Sequence, residues 1–176
     1  MFQSIVEGRY VPWALLVKDM PKEKHNDLDF IIGQLDWDKN VDTHFKDTNY
    51  LEPIVDASRS GPGYTDRWIV YGTVDGKQLF SSKELTVEPG AKCKLQEPGA
   101  SGWITVQGKG RMGKLALQTP AMIRFGQTTE DEVFISAEAA ARGVEIENTG
   151  SEPLVGLRYF GPDVHPSLPK VGDYKK

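Results

Sequence analysis

Arg67-Trp68-Ile69-Val70-Tyr71-Gly72-Thr73-Val74, then Asp75-Gly76, then Lys77-Gln78-Leu79-Phe80 is the stretch that decides the fold class. A run rich in aromatic and β-branched residues leads into an Asp-Gly pair, and a shorter run ending in Leu79-Phe80 follows it. That pair supplies the positive φ angles of a type I′ turn, so the stretch reads as a β-hairpin over residues 67–80. The same texture continues toward the C-terminus in steps of about ten residues, the spacing of a sandwich or barrel. Strands read over residues 82–88, 92–96, 102–107, 114–118, 121–125, 132–136, 144–148 and 153–160. Turn signals separate them at Pro89-Gly90, Pro98-Gly99, Gly108-Lys109-Gly110, Gly113 and Asn148-Thr149-Gly150. One helix is expected, residues 137–142: Ser136 is placed to cap it, the alanines favour it, and Gly143 can end it in the left-handed conformation.

The 176 residues suit one ordinary domain with a core of its own. Eighteen Gly and 11 Pro favour many short strands over a few long helices. A formal charge of −4 offers no basic excess for tracking phosphates, so nucleic acid is not an expected partner. The apolar run at residues 11–17 is too short to span a bilayer and lacks the flanks of a signal peptide, so no membrane association is expected. The single cysteine, Cys93, rules out an internal disulfide framework, and the simplest setting is the reducing cytoplasm. Flanked by Lys92 and Lys94 on a strand, its side chain alternates to the face opposite both and is expected in the core.

Upstream of the hairpin the texture changes. Short apolar runs at residues 11–17 and 30–37 alternate with charged stretches, and no helical period is sustained over three turns. Residues 1–63 therefore read as an irregular N-terminal extension of two or three strands and long loops, packed on a barrel at residues 64–164. Residues 57–65 are its linker, and 165–176 a loose C-terminal tail.

Three stretches carry a family resemblance: Glu84-Leu85-Thr86-Val87-Glu88-Pro89-Gly90, Trp103-Ile104-Thr105-Val106-Gln107-Gly108-Lys109-Gly110, and Asn148-Thr149-Gly150-Ser151-Glu152-Pro153-Leu154. Together they resemble the cupin superfamily (RmlC-like jelly rolls) over residues 83–160. The resemblance implies an all-β fold: a cupin-type double-stranded β-helix, or jelly roll, here with the irregular N-terminal extension and one short helix, whose mouth is a small-molecule site. Catalytic cupins hold a divalent metal with an H-x-H pair, a glutamate and a third histidine. Counting from Gly90 places the pair at Gln96 and Pro98 and the glutamate near Ser101 or Gly102. The last ligand falls at Val144, or near Glu130 or Glu132. None of these positions is histidine, so both metal motifs are degenerate, and no metal or other cofactor is expected. A divalent ion held by carboxylates such as Glu97, Glu130, Asp131 and Glu132 is the alternative. The three histidines, His25, His44 and His165, are scattered and read as surface or tail residues.

Candidate ligand-binding residues follow from chemistry and position. Arg111, Arg124 and Arg158 lie on or beside apolar strands. An arginine turned into the barrel needs an anion, from a ligand or from an internal carboxylate such as Glu130 or Glu132. Trp103 is a core aromatic or, secondarily, a stacking platform. Gln96 stands at one of the expected ligand positions, and Glu97 beside it offers a carboxylate. No Ser-His-Asp context is present, and Gly108-Lys109-Gly110 precedes no helix, which makes it a hairpin turn and not a dinucleotide fingerprint.

Two functions fit. The first is a metal-free small-molecule-binding or oligomerisation module, equivalent to the non-catalytic half of a two-cupin protein, with a small anionic or sugar-like ligand. The resemblance implies a homodimer, with residues 2–6 or 11–17 adding a strand to a neighbour's sheet. The second is a cupin enzyme (isomerase, epimerase, lyase or dioxygenase-like) acting on a sugar or organic acid through the arginines and carboxylates.

Overall fold

The computed structural model describes residues 5–6, 9–10, 12–122 and 124–171. It divides into two compact units, Met1–Tyr50 and Leu51–Lys176.

In the first unit, β1 (Ile5–Val6) pairs antiparallel with β2 (Arg9–Tyr10). The rest is short helices: α1 (Trp13–Leu16), a 3₁₀ turn at Lys22–Lys24, α2 (Leu28–Gly33), α3 (Trp37–Asn40) and α4 (Phe45–Asn49). The strands expected at 11–17 and 30–37 are thus replaced by helical turns, and the expectation of one short helix in the chain is corrected. The signal was local and lay in the caps. Asp27 accepts the N–H of Phe30 at 3.0 Å, and Asp36 accepts that of Lys39 at 3.1 Å, each supplying a partner that a helix start leaves wanting. Residues 2–4 and 11 of the proposed edge strands lie outside the described residues, while α1 overturns residues 13–16 as an added strand.

The second unit is a jelly roll of two antiparallel sheets. Its strands are β3 (Ile54–Val55), β4 (Tyr64–Val70), β5 (Ser81–Val87), β6 (Lys92–Leu95), β7 (Ser101–Gln107), β8 (Lys109–Met112), β9 (Leu115–Gln118), β10 (Glu132–Ile135), β11 (Val144–Asn148) and β12 (Leu154–Phe160). One sheet runs β10-β7-β12-β5-β4-β3 and the other β6-β11-β8-β9. Leu85, Val87, Trp103 and Leu154 from the first meet Cys93, Leu95, Met112, Leu117 and Ile146 from the second in one core. Along β12 burial alternates residue by residue, the period of a strand with one face inward. Gly156 of β12 lies under the Trp103 ring: a Cβ there would stand 2.0 Å from the indole Cζ2.

Several boundaries differ from the sequence reading. Asp75 and Gly76 do take positive φ, 51° and 75°, but only the Val74–Lys77 bridge flanks them. The hairpin partner of β4 is β5, reached by the 71–80 loop. Gly108 does not close a hairpin, because β7 and β8 belong to different sheets, and Lys109 and Gly110, read as turn, begin β8, which pairs with β9 and β11. Residues 121–122 and 124–125 are loop, with Phe125 wholly exposed. The α5 helix (Ala137–Arg142) stands where expected, with Ser136 Oγ accepting the Ala139 N–H. Gly143 takes φ +85° with an extended ψ of 139°, not the left-handed helical pair.

Candidate functional site

The inward face of the larger sheet carries charge where a jelly-roll core would be apolar. In register across it stand Trp68 on β4, Lys83 on β5, Arg158 on β12 and Trp103 on β7. All four are buried, Arg158 at 0% exposure. Buried cations require paired anions, and these come from three directions. Asp66 on β4 lies between the two: Lys83 Nζ donates to its Oδ2 at 2.9 Å, and the Arg158 guanidinium to its Oδ1. Lys83 also donates to Asp56 Oδ2 at 2.6 Å, and Arg158 to Glu97 Oε1. The Lys83 ammonium sits 4.4 Å from the Trp68 ring centroid, a cation–π contact.

Local structure explains how each acid arrives. Glu97 follows β6 and is held by its own N–H on the Ala140 carbonyl of α5 at 3.1 Å, while the Gln96 amide donates to Ala141 O at 2.7 Å. Asp56 follows β3 in a serine-built loop. Ser58 Oγ donates to its carboxylate at 2.6 Å, and Ser60 Oγ to its carbonyl at 2.9 Å, while the same Ser60 Oγ accepts the Asp66 N–H at 2.9 Å. This segment read as a linker, and it is the loop that closes the charge network.

His165 completes the arrangement. It is only 7% exposed, and its ring stands edge-on to Trp68 and Phe160 with centroids 4.9 and 4.5 Å away. Its Nε2 lies 3.1 Å from Glu97 Oε2, and the Arg59 guanidinium reaches within 3.9 Å of the same oxygen. Burial alone would raise the Glu97 pKa. The His165 hydrogen bond and the charges of Arg158, Lys83 and Arg59 outweigh it and hold the group below its ordinary value. Burial likewise works to raise Asp56, and the bonds from Lys83 and Ser58, with the charges of Lys83 and Arg59, bring it below its usual value. Among the described residues, Arg158 Nε and His165 Nδ1 are buried without a hydrogen-bond partner.

Two clefts open against this network. One, of about 420 Å³, runs from Asp56 and Arg59 past Trp68 and Lys83 to His165, Leu168 and Pro169. The other, of about 470 Å³, is bounded by Arg59, Gln96, Glu97, Ala141, His165 and Pro166. Arg59 and His165 are common to both.

The residues named from sequence scatter. Glu97 and Arg158 meet in the network. Trp103 is fully buried and donates to Thr105 Oγ1 at 2.9 Å, so it is a core residue and no stacking platform. Gln96 points outward, and the inward residue at that strand end is Glu97, because the buried positions of β6 are Cys93 and Leu95. Arg111 is on the surface, 3.4 Å from Glu147. Arg124, Glu130 and Glu132 share a separate exposed cleft beside β9 and β10. The expected pairing of an inward arginine with Glu130 or Glu132 is therefore overturned in favour of Asp66 and Glu97. His165, read as a tail residue, is buried.

Asp56, Arg59, Asp66, Lys83 and His165 escaped the sequence reading. A signal existed for two of them. Lys83 falls in the same parity as Leu85 and Val87, and Asp66 in that of Trp68, so each shares a face with residues that must be buried.

The residues present do not fit the metal that the family resemblance implies. Among the described residues no three His, Cys, Asp or Glu side chains converge as a ligand set. The carboxylates that do meet are held by Lys83 and Arg158, whose charges oppose a divalent cation in their midst.

No family model and no curated relative matches the sequence. Among solved structures the chain is similar to oxalate decarboxylase of Bacillus subtilis, at 24% identity and a TM-score of 0.44, over 70% of this chain and 30% of that one. It is also similar to the polyketide cyclase RemF of Streptomyces resistomycificus, at 13% identity and a TM-score of 0.45, over 69% and 80% of the two chains. An RmlC-like cupin protein of Ralstonia eutropha JMP134 matches at 12% identity and a TM-score of 0.43, over 66% and 71%. The chain thus spans under a third of the decarboxylase. No helix among the described residues is long and apolar enough to cross a membrane.

Proposed function

We propose that this chain is a metal-independent jelly-roll binding module whose site is the pair of clefts divided by Arg59 and His165. The observation that carries the reading is the occupation of the barrel interior by Lys83 and Arg158, each fully buried between carboxylates. Catalysis through a barrel metal is replaced by a fixed ion network, and the open space lies at its margin. A small molecule is the ligand class that such a concave, mixed surface suits. The module is cytoplasmic and homodimeric in this reading. The outward-facing Ile104 and Val106 of β7 and Phe134 of the adjacent β10, all exposed, support a self-association surface.

The test is elemental analysis of the purified protein together with a thermal-shift screen of small sugars and organic acids. Metal well below one equivalent, stabilisation by at least one compound, and loss of that response in Arg59→Ala are the expected results. Stoichiometric Mn, Fe, Ni or Zn that survives dialysis against chelator would overturn the reading. Light scattering that returns a monomer mass would overturn the dimer.

A further inference from the structure

The ion network fixes the chemistry of His165, and with it the kind of molecule the adjoining clefts can receive. Glu97 is ionised and can only accept hydrogen bonds, so the proton between it and His165 sits on Nε2. In the neutral imidazole the second nitrogen, Nδ1, is therefore an acceptor. It is buried and unpartnered among the described residues, and a buried acceptor left without a donor carries a desolvation cost that a bound donor would remove. The ring that carries it lines both clefts.

Charge narrows the class further. Three cations, Lys83, Arg158 and Arg59, face three carboxylates, Asp56, Asp66 and Glu97, and every one of the six lies within 4.0 Å of an opposite charge. An incoming anion would find no unpaired cation in this group, and an incoming cation no unpaired carboxylate. Hydroxyl groups and apolar carbons share the rest of the wall: Ser58 and Ser167 beside Ile54, Val55, Leu168 and Pro169.

Resting on the binding-module reading above, we infer that the clefts at His165 take an uncharged, hydroxyl-bearing ligand of sugar or polyol type, one of whose O–H groups donates to His165 Nδ1. The segment after His165 supplies Pro166 to one cleft and Ser167, Leu168 and Pro169 to the other, so a hydroxyl entering from either cleft meets this segment and reaches the buried nitrogen only if it gives way.

The chain has three histidines, so its imidazole nitrogens can be followed individually by ¹⁵N NMR. His25, against Met20 O, and His44, against Asp47, serve as internal references. The wild-type protein is titrated at neutral pH with xylitol, myo-inositol and glucose, and in parallel with acetate and citrate. The expected starting state of His165 is protonated Nε2 and bare Nδ1. A polyol is expected to move the His165 Nδ1 resonance toward the hydrogen-bonded value while His25 and His44 stay put, and His165→Phe to weaken that polyol about tenfold. A His165 Nδ1 signal unmoved by all three polyols, or a starting state with the proton on Nδ1, overturns the inference. If acetate or citrate alone shifts His165, the ligand class is overturned while the binding-module reading stands. Failure of that reading registers separately, in its metal analysis and thermal-shift screen.

Discussion

Replacing Arg158 by methionine tests whether the network holds the barrel together. The side chain is wholly buried and touches Asp66 and Glu97. Methionine fills most of the volume but leaves two carboxylates short of a partner. Asp66 keeps Lys83, and Glu97 keeps His165 and, at 3.9 Å, Arg59. Removing one member of a buried ion cluster typically costs about 3–5 kcal/mol, because an uncompensated charge stays behind. For a chain of this size each kcal/mol lowers Tm by about 2–4 °C, so a fall of about 6–20 °C is expected. Urea unfolding followed by tryptophan fluorescence and far-UV circular dichroism gives the free energy directly. Two comparisons sharpen it. Arg111→Met removes a surface pair with Glu147 and should cost about 0–1 kcal/mol. Arg158→Met combined with Glu97→Gln should recover part of the loss, since the second change removes one of the orphaned charges. A loss under about 1 kcal/mol for Arg158→Met, or a double variant that is simply the sum of the two singles, would refute the argument.

Glu97 and Asp56 both titrate below their ordinary values, so each contributes stability above those values that is lost as pH falls through the lowered ones; for Glu97 the ordinary value is 4.5. Urea midpoints should therefore decline as pH drops below about 4.5, and Glu97→Gln, less stable at neutral pH, should show a shallower decline; an unchanged slope would count against it. Burial pushes the Cys93 thiol up to about 11, so an aromatic disulfide reagent at mildly alkaline pH should label it only on unfolding, and fast labelling of the native protein would contradict its place in the core. Gly156→Ala drives a methyl to within 2.0 Å of the Trp103 ring and should cost about 1–3 kcal/mol or more, read as a lower urea midpoint with altered tryptophan emission.

Much of the barrel was legible because alternation and turn chemistry are local. Strands β5, β6, β7, β11 and β12 and helix α5 stand within a residue or so of their expected limits. Residues 109–112 were hidden by glycine. Gly110 looks like turn punctuation, yet it is there because a Cβ would stand 2.2 Å from the Glu147 carbonyl of the neighbouring strand. The 30–37 stretch reads as strand from its apolar content, and its helical turns come from the Asp27 and Asp36 caps. The site was harder to see for a different reason. Its members come from β3–β4, β5, the end of β6, β12 and the segment after it, and only long-range pairing brings them together, with separations of 61 and 92 positions for the two Arg158 bonds. A count that placed Gln96 inward was off by one residue, and one residue is enough to exchange the faces of a strand.

That same sensitivity explains what the network does for the fold. A buried ion cluster adds little stability over a hydrophobic core of equal volume, so stability alone does not account for it. Register does. In the native pairing Arg158 lies opposite Lys83 on one side and Trp103 on the other. A slip of β12 by one residue would turn Arg158 to the outer face, put Leu157 or Tyr159 inside, and strand Asp66 and Glu97 in the interior without their guanidinium. A purely apolar row of leucines and valines would tolerate that slip far better, since any branched side chain fills the space. The penalty for misregistration therefore falls on the central strand of the larger sheet, where β12 is flanked by β5 and β7. Glu97 joins this strand to α5 through its backbone bond to Ala140, and His165 joins it to the C-terminal segment. The cleft walls are thus positioned by the same contacts that select the register, which makes the geometry at His165 a consequence of correct folding of the barrel.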